Sequence, residues 1–359
     1  MAPADAPCLD DPRCAASIPD ERVAEPGKVA LVLLALAMGG FAIGVTEFAA
    51  MSVLPDFAAG LGVSEPTAGH VISAYAAGVV VGAPILAVLG ARLPRWLLLI
   101  GFMALFAVGN ALSAIAPTYE WMLVFRFLSG IPHGAYFGVA ALVAASLVPL
   151  RLRTRAVSTV LLGLTVATVI GVPVANAVSH SFGWRWTFAI VSVLAVLTMA
   201  LVALFAPRDP AHPDASPWRE LGALKRGQVW LTLGVGAIGF GGFFAVYAFL
   251  TAAMIATTQA PSYAIPLALC VFGVGGTLGT WVAGRMTERL GQIRAAYVSL
   301  AAMAVTQGFA SLAVGNWQLM VLSSFLLAAG AGLVIPLQTR LMDVAGRAQN
   351  MAAAMNHAA

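Results

Sequence analysis

Charge is scarce in this chain. Asp, Glu, Lys and Arg make up 9% of 359 residues, where a soluble domain carries roughly 25%. So few charges cannot coat a water-soluble surface of this size. Cysteine is almost absent, at three residues. Cys8 and Cys14 lie in the leading segment and Cys270 in an apolar stretch, so neither metal-ligand spacing nor a disulfide framework follows. There is no zinc-binding His-Glu-x-x-His, no nucleophile elbow and no phosphate loop. The chain is therefore expected not to be an enzyme and to carry no cofactor.

What the sequence has instead is apolar length. Apolar residues reach 60% and gather into ten stretches, each near the roughly 20 residues needed to cross a hydrocarbon core. The expected spans, numbered 1 to 10, are Val29–Leu54, Ala68–Leu89, Leu97–Ala116, Tyr119–Val148, Val157–Ser179, Thr187–Ala206, Val229–Ala256, Ala264–Gly284, Ala295–Val314 and Leu319–Met342. An open sheet is excluded, because lipid satisfies no backbone N–H or C=O. The expected class is an all-α polytopic membrane protein. Ten spans leave little soluble protein for chemistry, which points to movement of something across the bilayer.

Basic residues are missing from every second gap. Arg13, Arg22 and Lys28 precede span 1, and Arg92 and Arg95 follow span 2. Arg151, Arg153 and Arg155 follow span 4, while Arg208, Arg219, Lys225 and Arg226 follow span 6. Arg285, Arg289 and Arg294 mark the gap after span 8, and Arg340 and Arg347 follow span 10. The opposite gaps hold only Arg185. Cytoplasmic loops collect Lys and Arg, so the N-terminus is expected in the cytoplasm of a multi-pass inner (plasma) membrane protein. The +4 formal charge is then accounted for by the lipid bilayer, and no nucleic-acid partner is expected.

Residues 1–27 are rich in Pro, Ala and acids and read as a disordered cytoplasmic tail, not a signal peptide. A polar stretch at 207–228 with four prolines separates six spans, 28–206, from four, 229–359. Gly78, Gly82 and Arg92 recur as Gly275, Gly279 and Arg289, all at one offset of 197 positions. The coincidence suggests a parallel repeat whose small-xxx-small pairs let helices approach closely. A second six-helix half would end near residue 400 by this logic. Gln349–Ala359 then reads as the start of span 11, and the chain as C-terminally truncated, with an inactive fragment one open reading.

Several stretches now carry a resemblance. Phe41-Ala-Ile-Gly-Val-Thr-Glu-Phe48 with Leu54-Pro55, the run Gly82 to Arg95, Arg126-Phe-Leu-Ser-Gly130 with Pro132-His133-Gly134, Gly163 through Gly171-Val-Pro173 with Gly183-Trp-Arg-Trp186, Pro336-Leu-Gln-Thr-Arg340 and Asn356-His357 follow one another in order. Together they resemble the major facilitator superfamily, in its twelve-helix drug:proton antiporter branch, and among its members the bacterial chloramphenicol-resistance exporters. The resemblance implies a major facilitator fold and proton-coupled efflux of a small, largely apolar, drug-like substrate. It places Gly82, Arg92, Arg95, Gly279, Glu288 and Arg289 in gating and helix-packing motifs, and Gly163, Gly171 and Pro173 in a stiff bend of span 5 that limits proton leak. An ordinary proline kink is the plainer reading of that bend. One departure stands out: Ala91 occupies the position where the loop 2–3 motif usually has an acid. Export or symport of another substrate, such as a sugar, stays open.

Ionisable groups inside a membrane cost about 2.5–3.5 kcal/mol on insertion scales and are functional candidates by default. Three stand out: Glu47 in span 1, and Arg126 and His133 in span 4. Glu47 and Arg126 both fall about 10 Å below the outer surface at 1.5 Å per residue. Opposite charges at one depth can pair if spans 1 and 4 are neighbours, as the resemblance implies. Glu47 is the expected proton-coupling carboxylate, with Arg126 as its switch. A static pair that only joins two helices is the alternative. His133 lies about two turns deeper on the same face and is either a second proton site or a hydrogen-bonded core histidine. Phe41, Phe244, Tyr247 and Gln338 are candidates for the substrate cavity. The phenylalanines of span 7 meet either lipid or an apolar substrate. Asn110, Asn176 and Gln307 are expected to bond between helices.

Overall fold

The computed structural model describes residues 26–90, 92–149, 152–208, 222–345 and 354–357. The leading tail with Cys8 and Cys14, Ala91, Arg151, the middle of the central loop and residues 346–353 lie outside the described residues. Among the described residues, ten helices are long and apolar enough to cross a membrane: Gly27–Ser52, Glu65–Gly90, Arg95–Ala114, Tyr119–Ser146, Arg155–Phe182, Arg185–Phe205, Gly227–Ala248, Ala264–Leu290, Gln292–Ala313 and Trp317–Ala345. These match the ten expected spans and keep their numbers. Their outward faces are apolar. Ile238 is 82% exposed, Leu312 80% and Leu204 74%. Water would not tolerate that many open aliphatic groups, but acyl chains do.

Spans 1 to 6 pack mainly on one another, with span 1 against spans 5 and 6, span 2 against span 4, and span 3 against spans 4 and 6. Spans 7 to 10 do likewise, with span 8 against span 10, span 9 against spans 8 and 10, and span 7 against spans 9 and 10. The two sets meet chiefly where span 8 crosses span 5, with a thinner contact between spans 1 and 7.

The two sets use the same devices. A Cβ added to Gly78 would strike the carbonyl of Phe127, and one added to Gly82 the carbonyl of Ile131. In the second set, Gly275 lies against the carbonyl of Phe325 and Gly279 against that of Ala329. Spans 2 and 4, and spans 8 and 10, therefore touch backbone to backbone, which only the absence of a side chain permits. Span 4 breaks at residues 131 and 132, between helices Tyr119–Gly130 and His133–Ser146. Pro132 supplies a reason, since it lacks the N–H that would continue the ladder. Span 10 breaks at the matching place, between Trp317–Gly330 and Val334–Ala345. Spans 1 and 7 each continue, after a one-residue interruption, into the short helices Leu54–Leu61 and Leu250–Thr257.

Span 5 is not bent by a simple proline kink. Residues Ala167–Gly171 form a π turn just before Pro173. Pro173 offers no N–H to the carbonyl four residues back, and the widened turn absorbs the mismatch. Gly171 then faces Val45 and Phe41, and Gly163 sits against the carbonyl of Ala37, so span 1 lies directly on this stretch.

Alternation of the spans gives the molecule a basic face and an opposite face. On the basic face, Arg226 donates to the carbonyl of Val344 at 3.0 Å and Gln292 donates to Asp343 at 2.5 Å, tying spans 7, 9 and 10. On the opposite face, Arg185 donates to the carbonyl of Ala116 at 3.0 Å and Ser179 to Asp56 at 2.7 Å.

Candidate functional site

Span 1 carries the chemistry at its far third. Thr46 and Glu47 are consecutive, so their side chains point about 100° apart around the helix. Thr46 is fully buried and faces spans 3 and 4. Its hydroxyl donates to Asn110 Oδ1 at 2.6 Å and accepts from Arg126 Nη1 at 3.0 Å. Asn110 Nδ2 donates in turn to the carbonyl of Phe106 at 2.9 Å. Arg126 is 1% exposed and lies over the ring of Tyr75 at 4.3 Å and that of Phe188 at 5.2 Å.

The sequence suggested a Glu47–Arg126 pair, and the structure keeps the two within electrostatic reach of one another. No ion pair within 4.0 Å joins them. Thr46, one position before Glu47, takes the guanidinium, while Glu47 is half-buried. Glu47 still interacts electrostatically with Arg126, Tyr75 and Tyr247. Arg126 Nε finds no hydrogen-bond partner among the described residues. A buried guanidinium N–H without an acceptor is costly, and it leaves a donor available to a ligand.

Beside Glu47 the halves are joined by aromatic rings. Phe48 meets Tyr247 at 5.6 Å, Phe272 at 6.0 Å and Phe244 at 6.1 Å. Tyr247 and Phe272 lie 4.1 Å apart, and Phe243 packs on both Phe244 and Phe272. Phe243 and Tyr247 are buried, so the span 7 rings turn partly inward and not only to lipid. Below them lies a cavity of about 130 Å³ between the halves, lined by Phe48, Phe243, Phe272, Thr165, Thr168 and Thr277, among others. Its walls are apolar with a few hydroxyls, and the hydroxyls of Thr168 and Thr277 already donate to carbonyls of their own helices.

His133 lies beyond the break in span 4 and is 3% exposed. Its Nδ1 is 2.9 Å from the hydroxyl of Tyr75. Tyr75 therefore touches both Arg126 and His133 of span 4, its ring under Arg126 and its hydroxyl on His133. His357, from the short turn at 354–357, lies 5.8 Å from the His133 ring and stacks on Phe137 at 4.6 Å.

The remaining candidates sit as follows. Phe41 packs at the seam of spans 1 and 5, against Gly171. Gln338 is half-buried and makes no side-chain hydrogen bond among the described residues. Arg92, Glu288 and Arg289 are exposed and Arg95 half-buried. Asn176 donates to the carbonyl of Ser52 at 3.1 Å, joining spans 5 and 1. Gln307 rests against Gly242, with no side-chain hydrogen bond among the described residues. Sequence reasoning missed Thr46, Tyr75 and Gly273. Depth arithmetic could have found Tyr75, which is ten residues into span 2 and so level with the interval between Arg126 and His133. Gly273 lets the halves approach backbone to backbone: its added Cβ would lie 2.6 Å from the backbone of Thr168 and Val169.

Ten apolar crossings in two similarly packed sets, with buried ionisable groups where the sets meet, define a polytopic membrane transporter. The sequence profile of the Major Facilitator Superfamily matches residues 36–358. The chain belongs to that superfamily. It is 36% identical over 329 residues to the inner membrane transport protein YdhP of Escherichia coli (strain K12), covering 92% of this chain and 85% of that one. It is 32% identical to the putative transporter AraJ of the same strain, covering 75% and 68%. It is 34% identical over 263 residues to a chloramphenicol resistance protein of Streptomyces lividans, covering 72% and 67%. Among solved structures, a bacterial homologue of the human lysosomal transporter Spinster, inward-facing and unoccupied, superposes with a TM-score of 0.62 at 17% identity, covering 92% of this chain and 78% of that one. That likeness establishes the major facilitator fold.

Proposed function

We propose that the protein exports a small, largely apolar, drug-like compound in exchange for protons, with its basic face in the cytoplasm of the inner membrane. The carrying observation is Glu47: a half-buried carboxylate on the aromatic junction between the halves, within electrostatic reach of a buried arginine. The 34% identity to a chloramphenicol resistance protein supports the substrate class.

Glu47 and Tyr247 lie on opposite sides of the junction. A rocking of the halves changes the surroundings of the carboxylate, and with them its affinity for a proton. Coupling requires such a difference between two states. Arg126 is held on its own half by Thr46, whose hydroxyl is in turn anchored on Asn110. It therefore stays with Glu47 when span 7 moves away. Its free Nε offers one strong donor to an acceptor atom of the substrate, and the surrounding rings supply apolar contact. A cavity walled largely by rings and aliphatic groups, with threonines as its polar side chains, suits a drug better than a sugar.

The test is chloramphenicol resistance in cells expressing the chain, beside Glu47→Gln and Glu47→Asp. The intact protein raises resistance, Glu47→Asp retains part of it, and Glu47→Gln loses it while remaining in the membrane. Full resistance in Glu47→Gln removes the carboxylate from the mechanism. No resistance in any form, with a sugar moved instead, replaces the substrate class.

A further inference from the structure

At the end of the molecule away from Glu47, the turn at 354–357 rests on span 4. Gly134 is what lets it approach, since an added Cβ would lie 2.8 Å from the carbonyl of Ala354 and 3.3 Å from the Cβ of Ala83. Ala354 is 2% exposed and Met355 6%, packed in one cluster with Ala83 of span 2, Val229 and Leu233 of span 7, and Leu341 of span 10. This contact brings two histidines together from opposite sets of spans. Their rings are 5.8 Å apart, with Phe137 against both, at 5.5 Å from His133 and 4.6 Å from His357.

The surroundings of the pair are short of charge. Span 2 contributes the Tyr75 hydroxyl, at 2.9 Å from His133 Nδ1. Span 4 contributes Arg126, held behind the Tyr75 ring. The 354–357 turn contributes Asn356, whose Nδ2 has no partner among the described residues. No carboxylate bonds to either imidazole among the described residues. Two imidazoles at this spacing without an acid between them cannot both carry a proton at ease, because like charges in a poorly hydrated site repel. The repulsion ends when the halves part and water reaches both rings.

We propose that His133 and His357 form a second proton-responsive site, separate from Glu47: the two rings are held together only while the halves touch at the basic face, and their protonation drives that face open. Tyr75 positions His133 by its hydrogen bond and links it, through its own ring, to Arg126. The inference rests on the transporter reading but not on the Glu47 mechanism. An acidified basic face favours the open form, in which each ring holds its own proton in water. Near neutral pH the pair is uncharged and the contact closes.

The experiment measures the contact itself. Spin labels are placed at Leu89, at the basic end of span 2, and Met342, at the basic end of span 10, with Cys8, Cys14 and Cys270 replaced. Distances are read by pulsed electron resonance in lipid nanodiscs between about pH 8 and pH 5, the interval in which histidines titrate. The expected result is a longer-distance population that grows at least about threefold toward the acid end. His357→Phe keeps a ring on Phe137 but removes the nitrogens, and should abolish the response while leaving the short distance at neutral pH. Gly134→Leu should force the long distance at every pH. Glu47→Gln should keep the wild-type response, which separates failure here from failure of the exporter mechanism. An unchanged response in His357→Phe, or none in the intact protein, overturns the proposal.

Discussion

The backbone contact that recurs in both sets of spans gives a sharp test of the architecture. Gly82 faces the carbonyl, the carbonyl carbon and Cα of Ile131, and Gly279 faces the same three atoms of Ala329. Neither neighbour is a side chain that can turn aside. A methyl at either glycine therefore pushes two whole helices apart. Overpacking of this kind costs about 1–3 kcal/mol. Gly241 is the control, since it lies in span 7 with nothing within 4 Å of its added Cβ. Alanine there should gain about 1 kcal/mol of helix propensity. All three substitutions gain that propensity, so it cancels in the comparison: Gly82→Ala and Gly279→Ala should be about 1–3 kcal/mol less stable than Gly241→Ala, which should lie at or above wild type. Thermal unfolding in detergent micelles reads the order. If Gly82→Ala or Gly279→Ala melts as high as Gly241→Ala, the close helix contacts are wrong.

Three further outcomes follow from the site. Thr46→Val removes the acceptor of Arg126 Nη1 and the donor to Asn110; it should lower stability by about 1–2 kcal/mol, the range for interhelical hydrogen bonds in membranes, and cut resistance beyond what the loss of folded protein explains. Gly273→Val sets methyl groups against the backbone of Thr168 and Val169; the protein should still insert, but the halves should be wedged at spans 5 and 8 and drug efflux from loaded vesicles should fall sharply. Pro173→Ala restores an N–H after the π turn; span 5 should relax toward a regular helix, and the passive collapse of an imposed pH gradient in proteoliposomes should quicken.

The spans were legible because their signal is long: 20 or more apolar residues bounded by arginines leave few alternatives, and the ten observed helices differ from expectation mainly at their ends. The glycine repeat was legible for a similar reason, as three positions shared one offset. Side-chain direction was not. Glu47 and Arg126 are level in depth, yet depth does not say which way a residue faces. A neighbouring hydroxyl one position away took the guanidinium instead. The π turn in span 5 was hidden because proline predicts a disruption but not its form. The packing of the Phe41 ring against Gly171 of the neighbouring span was likewise invisible in its motif. His357 had been noted only as part of a late motif, since nothing in the one-dimensional pattern brings it to His133.

The central claim is that proton movement and drug movement share Glu47. Purified protein in liposomes carrying a pH-sensitive dye inside tests it directly, with chloramphenicol added on the side that the basic face meets. The account predicts a proton flux opposite to the drug, present in the intact protein and absent in Glu47→Gln. Drug movement without any proton flux, or an equal flux in Glu47→Gln, would contradict it.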